Sequence, residues 1–289
     1  MICSICPRHC SIDRENALGY CQSPKKFKLA RAALHYWEEP CISGKNGSGT
    51  VFFSGCNLRC VYCQNYEISH ECKGIEVNSE RLVEIFESLI KQGASNINLV
   101  NPTHYADALA DVLSKWESPV PVVYNSSGYE EVDTIKALDG LIDIYLPDLK
   151  YIRPDKALRY SGAENYFEKA AAAILEMRRQ VNDRFDNDGM MKSGMIVRHL
   201  ILPRNTNSSI EIIDWVKEKL GDTYLSLMAQ YTPCTDLSNY PEIDKKITQR
   251  EYDKVADYAV DIGLKNIFLQ ERSSAESDFI PAFDFTGII

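Results

Sequence analysis

Three cysteines, Cys56, Cys60 and Cys63, fall within eight residues in the stretch GCNLRCVYCQN, separated by three and then two residues. Coordination number limits what such a loop can be. It can hold three irons of a cubane iron–sulfur cluster, and it offers no fourth thiolate. Electron-transfer [4Fe–4S] clusters are usually closed by four cysteines, and structural zinc also takes four ligands, commonly as two separated pairs. Cys72 or Cys41 could complete a zinc site. However, Cys72 follows the polar stretch NYEISHEC and has no partner cysteine nearby, so the spacing favours the cluster. An iron left without a protein ligand can take a substrate, which points to chemistry rather than electron storage.

A second cysteine group opens the chain. Cys3, Cys6, Cys10 and Cys21 lie within nineteen residues, with His9 beside Cys10. Large apolar residues are few there, so a metal has to organise the segment. A Cys₄ zinc site and a second [4Fe–4S] cluster both fit four soft ligands, and ligand number does not separate them. The start of the chain, MICSICPRHC, has no apolar signal core, and no run of about eighteen apolar residues marks a membrane span. A cytoplasmic location is expected, where ten cysteines serve as ligands more readily than as disulfides. The net charge of −9 argues against a nucleic-acid partner and is compatible with a basic protein. No HExxH, GxSxG or Walker A pattern occurs, and Gly44, Gly47 and Gly49 precede a strand instead of following one.

Residues 1–48 read as an irregular, cysteine-rich metal-binding segment. From Gly49 onward, strand-like and helix-like stretches alternate. Strands are expected at 50–54, 97–101, 120–125, 143–149, 195–202, 224–230 and 265–270. Amphipathic helices are expected at 79–92, 105–116, 130–138, 164–185, 208–220 and 248–262. Residues 49–272 thus form repeated βα units, implying a parallel sheet with helices outside. A barrel short of eight units and an open doubly wound sheet both satisfy that pattern. Residues 273–289, with Phe279, Phe283 and Phe285, read as a C-terminal extension that packs on the barrel.

Polar residues gather at the expected strand ends, where βα barrels place their active sites. They are Asn101, Thr103 and His104; Asn125, Ser126, Ser127 and Gly128; Asp148 and Lys150; Arg198 and His199; Gln230 and Tyr231; and Gln270 and Glu271. Each also has a plainer structural role open to it. Asp148 and Lys150 suit an exposed turn pair, Arg198 a buried ion pair, His199 a satisfied core histidine and His104 a helix start.

CNLRCVYC, with aromatic Tyr62 before its last cysteine, has the CxxxCxxC pattern of the radical S-adenosylmethionine (SAM) superfamily and resembles it. That resemblance implies an α/β partial (β/α)₆ barrel open on one side. It implies a [4Fe–4S] cluster whose open iron is chelated by SAM, with Tyr62 near the adenine. One electron from the cluster then yields a 5′-deoxyadenosyl radical that abstracts hydrogen. A bound SAM needs a cation for its carboxylate, for which Lys150 and Arg198 are candidates. Asn125 and Ser127 could meet the ribose, and Asn101 and Thr103 the amino group.

The order of motifs is similar, over residues 49–270, to that of the activating enzymes of glycyl-radical enzymes, the pyruvate formate-lyase activating enzyme type. Asp148–Leu149–Lys150 matches a DLK motif at the SAM site, Val197–Arg198 matches a strand whose Arg reaches SAM, and Gln230 falls near an active-site His. Asn125–Ser126–Ser127–Gly128 stands where that family has DTNG, so Asn125 replaces an Asp that helps hold a monovalent cation. Asn101–Pro102–Thr103–His104 replaces the Gly-Gly-Glu of the amino contact. The resemblance implies a glycyl-radical protein or peptide as substrate and a flavodoxin- or ferredoxin-type reductant, without nucleic acid or membrane. A small-molecule substrate, another peptide modification, and a non-catalytic electron carrier or adaptor are the alternatives.

Overall fold

The computed structural model describes residues 2–270 and 281–289. In chain order the elements are β1 (Phe27–His35), α1 (Pro40–Ser43), β2 (Ser48–Phe53), α2 (Tyr66–Ser69), β3 (Ile75–Val77), α3 (Ser79–Lys91) and β4 (Ile97–Val100). Next come α4 (Ala106–Leu113), β5 (Val122–Ser126), α5 (Val132–Lys136), β6 (Ile144–Pro147), α6 (Pro154–Ser161), α7 (Tyr166–Gln180) and β7 (Arg184–Phe185). The chain continues through β8 (Met191–Leu200), α8 (Thr206–Leu220), β9 (Tyr224–Met228), α9 (Gln249–Asp261) and β10 (Ile267–Leu269).

The strands join in the order β10-β9-β8-β6-β5-β4-β2-β1-β3, with β7 beside β8. From β2 to β10 along this path every neighbour is parallel. Six βα units and a closing strand therefore curve into a partial barrel whose two edges do not meet. Parallel strands buried on both faces read as apolar runs, which is why β2, β4, β5, β6, β8 and β9 were legible in sequence; β10 is only half-buried and shows the same apolar pattern. The helices follow their stripes. In α3, Leu82, Ile85, Phe86 and Leu89 are buried, each contributing about 2 kcal/mol, and the Asn78 side chain accepts the Arg81 N–H at the helix start. Thr248 and Glu251 form a capping box at α9.

Residues 1–48 depart from the irregular reading. Within them, β1 pairs antiparallel with β2 and β3 and extends the sheet past its first parallel strand. Lys28 and Arg31 interrupt its apolar pattern, which hid it. The helix expected over 164–185 stops at Gln180, because the chain turns through 181–183 into the short hairpin strand β7. Residues 281–289 lie along β1. Phe285 N–H donates to Ala30 O (3.1 Å), Ala32 N–H donates to Thr286 O (2.8 Å), and the Phe283 ring meets Phe52 edge-on. Glu271, Phe279 and the rest of 271–280 lie outside the described residues.

Candidate active site

The three-cysteine loop leaves the C-terminal end of β2 through Gly55, whose φ is +89°. A Cβ there would fall 1.8 Å from Ser23 Oγ, so only glycine lets the N-terminal segment press so closely on the loop. Cys56 N–H then donates to the Cys21 carbonyl (3.3 Å), while Leu58 and Arg59 N–H turn back onto Cys56 Sγ, each at 3.4 Å. Arg8, from the N-terminal cysteine segment, donates to Asn57 O (2.7 Å), Ser161 O (2.8 Å) and Gly162 O (2.5 Å). Val61 N–H donates to Tyr160 O at 2.9 Å. The end of α6 is thereby laced to the loop. Cys56 and Cys60 are buried and Cys63 is half-buried.

All three cysteines face one open cavity of about 260 Å³. The ends of β5, β6 and β8 wall it with a charged network. Asp148 accepts from Lys150 Nζ (2.5 Å) and from Arg198 Nε (3.0 Å). Arg198 also donates to Asn125 Oδ1 (2.5 Å) and to Glu38 Oε2 (3.2 Å). Glu38 Oε1 accepts from Asn98 (3.0 Å) and Asn125 (3.3 Å). Burial by itself raises the Asp148 carboxyl, yet the Lys150 and Arg198 cations together hold it below the usual carboxylate range. Burial pushes Glu38 up, with Arg198 opposing. Two further contacts set the wall. A Cβ on Gly128 (φ +76°) would come within 2.3 Å of the Asp148 carbonyl. The Tyr166 hydroxyl lies 2.8 Å from the carbonyls of both Ser127 and Asp148 and accepts the Lys150 N–H.

Tyr62, Asn101, Asn125, Ser127, Asp148, Lys150, Arg198 and Gln230 all line this cavity with the cysteines. Thr103 is not brought there: it is buried and its hydroxyl donates to Glu130. His104 Nε2 donates to the Ser54 carbonyl (2.8 Å), and His199 is satisfied by Leu149 O and Ser209 Oγ. Cys41 and Cys72 lie away from the cavity, Cys41 among apolar residues beside β5, β6 and β8. Asn125, the position compared with a monovalent-cation site, is turned onto Arg198, as is Asp148 of the DLK motif. In the N-terminal group, Cys10 Sγ accepts the Tyr20 N–H (3.3 Å), and Cys6 lies within electrostatic reach of Cys3 and Cys21.

Glu38, from HYWEEP, is a carboxylate of the cavity wall that sequence reasoning missed. It arrives on the segment after β1, and nothing local distinguishes it from the adjacent Glu39. Tyr166 was hidden in the same way, as an aromatic inside a helix stripe.

The donor set fits a cubane cluster. Cys56 and Cys60 accept hydrogen bonds from Leu58 N–H, Arg59 N–H and Ser161 Oγ, as electron-rich cluster sulfurs do. Among the described residues no three His, Cys, Asp or Glu side chains converge as a single metal ion requires; cubane thiolates each bind a different iron, so they need not. Ser127 Oγ, buried on the cavity wall, has no hydrogen-bond partner within the protein. It shares the cavity wall with Lys150 and Arg198, a setting suited to a polar, carboxylate-bearing cofactor.

A partial barrel of parallel strands with three thiols on one loop at the C-terminal rim defines a class of iron–sulfur enzyme. The radical SAM superfamily model matches residues 50–216, and the chain belongs to that superfamily. A [4Fe–4S] cluster and SAM are its cofactors. Two proteins of Methanocaldococcus jannaschii are similar along most of the chain. MJ0674 is 28% identical over 92% of this chain and 76% of its own length, and MJ0808 is 25% identical over 92% and 80%. Among solved structures, Streptococcus suis SuiB bound to its precursor peptide SuiA aligns with a TM-score of 0.52 at 14% identity, over 75% of this chain and 46% of that one. Methylornithine synthase aligns at 0.51 with 12% identity, over 71% and 59%. The FeFe-hydrogenase maturase HydG of Carboxydothermus hydrogenoformans aligns at 0.52 with 15% identity, over 80% and 56%. The chain spans about half the length of each of these three, and they share its fold. Among the described residues no helix is long and apolar enough to cross a membrane.

Proposed function

We propose that this enzyme abstracts a hydrogen atom from a peptide or protein segment, a glycine-bearing loop of a glycyl-radical enzyme being the specific case. When bound, the cluster and SAM supply a 5′-deoxyadenosyl radical after one-electron reduction, the electron coming from a flavodoxin- or ferredoxin-type protein. The chain's own residues bind and orient. Lys150 and Arg198 offer cations to a carboxylate, Glu38 and Asp148 keep those cations placed, and Ser127 and Asn125 offer hydroxyl and amide contacts. No general base is needed, since the hydrogen leaves with its electron.

The observation that carries the peptide reading is the shape of the mouth. The cavity shares Gln64 and Pro281 with a second groove lined by Tyr66, Glu67, His70, Cys234, Asp236 and Tyr240, running past the cluster loop to solvent. An extended segment can lie in that groove while one residue reaches the cavity. SuiB, which shares the fold, is described bound to a precursor peptide. The test mixes anaerobically reconstituted protein, SAM and reductant with candidate glycyl-radical proteins and follows the organic radical by electron paramagnetic resonance. A radical that forms, and is lost when the target glycine is changed to alanine, supports the reading. Turnover of a small molecule with no peptide or protein modified would replace it.

A further inference from the structure

Cys60 differs from Cys56 in where its hydrogen bond comes from. Cys56 Sγ is served by backbone N–H groups of its own loop. Cys60 Sγ is served from 101 residues away by the side chain of Ser161, at 3.1 Å. Behind Ser161 stand two more hydroxyls in line. Ser161 Oγ lies 2.8 Å from the Tyr151 hydroxyl, which lies 2.7 Å from the Tyr62 hydroxyl. All three residues are buried, and Tyr62 faces the cavity.

Proton counting fixes the direction of this chain. Three hydroxyls have three protons to cover three contacts. If Cys60 is a thiol, every contact can be met with the protons running from sulfur to Tyr62. If Cys60 is an iron-bound thiolate, it can only accept. All contacts are then met in one way: Tyr62 donates to Tyr151, Tyr151 to Ser161, and Ser161 to Cys60. Iron ligation thus turns the relay so that it ends on the sulfur, and chains of hydrogen bonds polarise one another.

We infer that Ser161, aimed by Tyr151 and Tyr62, is a positioning residue that donates to the Cys60 sulfur and holds the reduction potential of the cluster up. Hydrogen bonds to cluster sulfurs are among the factors that set these potentials, and a donor stabilises the more electron-rich, reduced state. The fold keeps the donor in place. Ser161 is the last residue of α6, followed by Gly162 in the left-handed conformation. The Arg8 guanidinium and the Val61–Tyr160 bond hold that helix end against the cluster loop. An enzyme that takes its electron from a protein donor gains from such a bond, and a side-chain substitution can remove it without altering the loop backbone.

The test is a redox titration of the iron-loaded protein, monitored by electron paramagnetic resonance, on the wild type, Ser161→Ala and Tyr151→Phe at matched iron content. Ser161→Ala is expected to titrate at a more negative potential than wild type, and Tyr151→Phe at a smaller displacement in the same sense. A Ser161→Ala potential that coincides with wild type overturns the inference. If Ser161→Ala does not hold its iron, Tyr151→Phe decides: a negative displacement supports the relay, and coincidence with wild type overturns it. The inference rests on the cluster being present, which iron content reports separately, so loss of the cluster and loss of the relay give different results.

Discussion

The guanidinium of Arg8 donates to the carbonyl of Asn57 at 2.7 Å. One residue from the segment of the first cysteine group thereby touches the loop of the second. The same side chain reaches the carbonyls of Ser161 and Gly162 and stacks on the Tyr20 ring at 3.8 Å. Whatever organises Cys3, Cys6, Cys10 and Cys21 therefore also places Arg8 and, through it, the loop that holds Cys56, Cys60 and Cys63.

Arg8→Ala should loosen this arrangement. Hydrogen bonds to a charged donor contribute about 2 kcal/mol each when lost from a partly buried site, and three carbonyls share this one. The expected result is a lower unfolding midpoint and faster loss of iron from the reconstituted protein on chelator challenge. Unchanged midpoint and iron retention would show that Arg8 only decorates the surface.

Asp148→Asn should cost more. It removes the anion between Lys150 and Arg198, leaving Lys150 without that counter-charge while Arg198 keeps Glu38, and breaking a buried pair typically costs about 3–5 kcal/mol. Chemical denaturation should show that loss, and a SAM titration of the folded variant should show weakened binding. A variant as stable as wild type would mean that the network is solvated in solution.

Buried histidines and buried carboxyls act in opposite senses on stability below neutrality. Burial, with Arg14 nearby, pushes His104 down to about 3, and burial pushes His199 down to about 4. The folded chain keeps both neutral, whereas the unfolded chain protonates them below about 6.5. Their contribution is complete above that value and is lost as pH falls from it toward the folded values. Glu130 has the opposite sign. Burial pushes it up to about 8, so its contribution is complete below about 4.3 and is lost as pH rises toward 8. Urea midpoints should fall less, or rise more, for His199→Gln than for wild type between pH 6.5 and 4, and Glu130→Gln should flatten the part of the profile that declines toward pH 8. An unchanged profile in that variant would contradict the placement of Glu130.

Cys6→Ala should separate the two cysteine groups. If the N-terminal cysteines bind a metal, analysis should show one site fewer than in wild type, while iron in the Cys56–Cys60–Cys63 loop is retained. Equal metal content in both proteins would make the N-terminal cysteines plain thiols.

The sequence exposed the parts of this molecule that rest on local pattern. Seven parallel strands, six amphipathic helices and the three-cysteine loop have periodicity or spacing that one stretch of chain displays by itself. Most strand-end residues followed, because a parallel barrel gathers its C-terminal ends on one face. What stayed hidden depends on pairing at long range. Glu38 joins Arg198 across 160 residues, Ser161 meets Cys60 across 101, and Tyr166 knits two strand ends from inside a helix. Thr103 shows the converse. Its position after β4 suggested the cavity, but the nearby buried carboxyl of Glu130 takes its hydroxyl.

The most direct measurement is electron paramagnetic resonance of the reduced, anaerobically reconstituted cluster with and without SAM, beside an assay for 5′-deoxyadenosine. The account predicts a spectrum that changes when SAM is added, nucleoside formed under reduction, and no nucleoside from Cys60→Ala. A wild-type spectrum indifferent to SAM, or nucleoside still formed by Cys60→Ala, would contradict it.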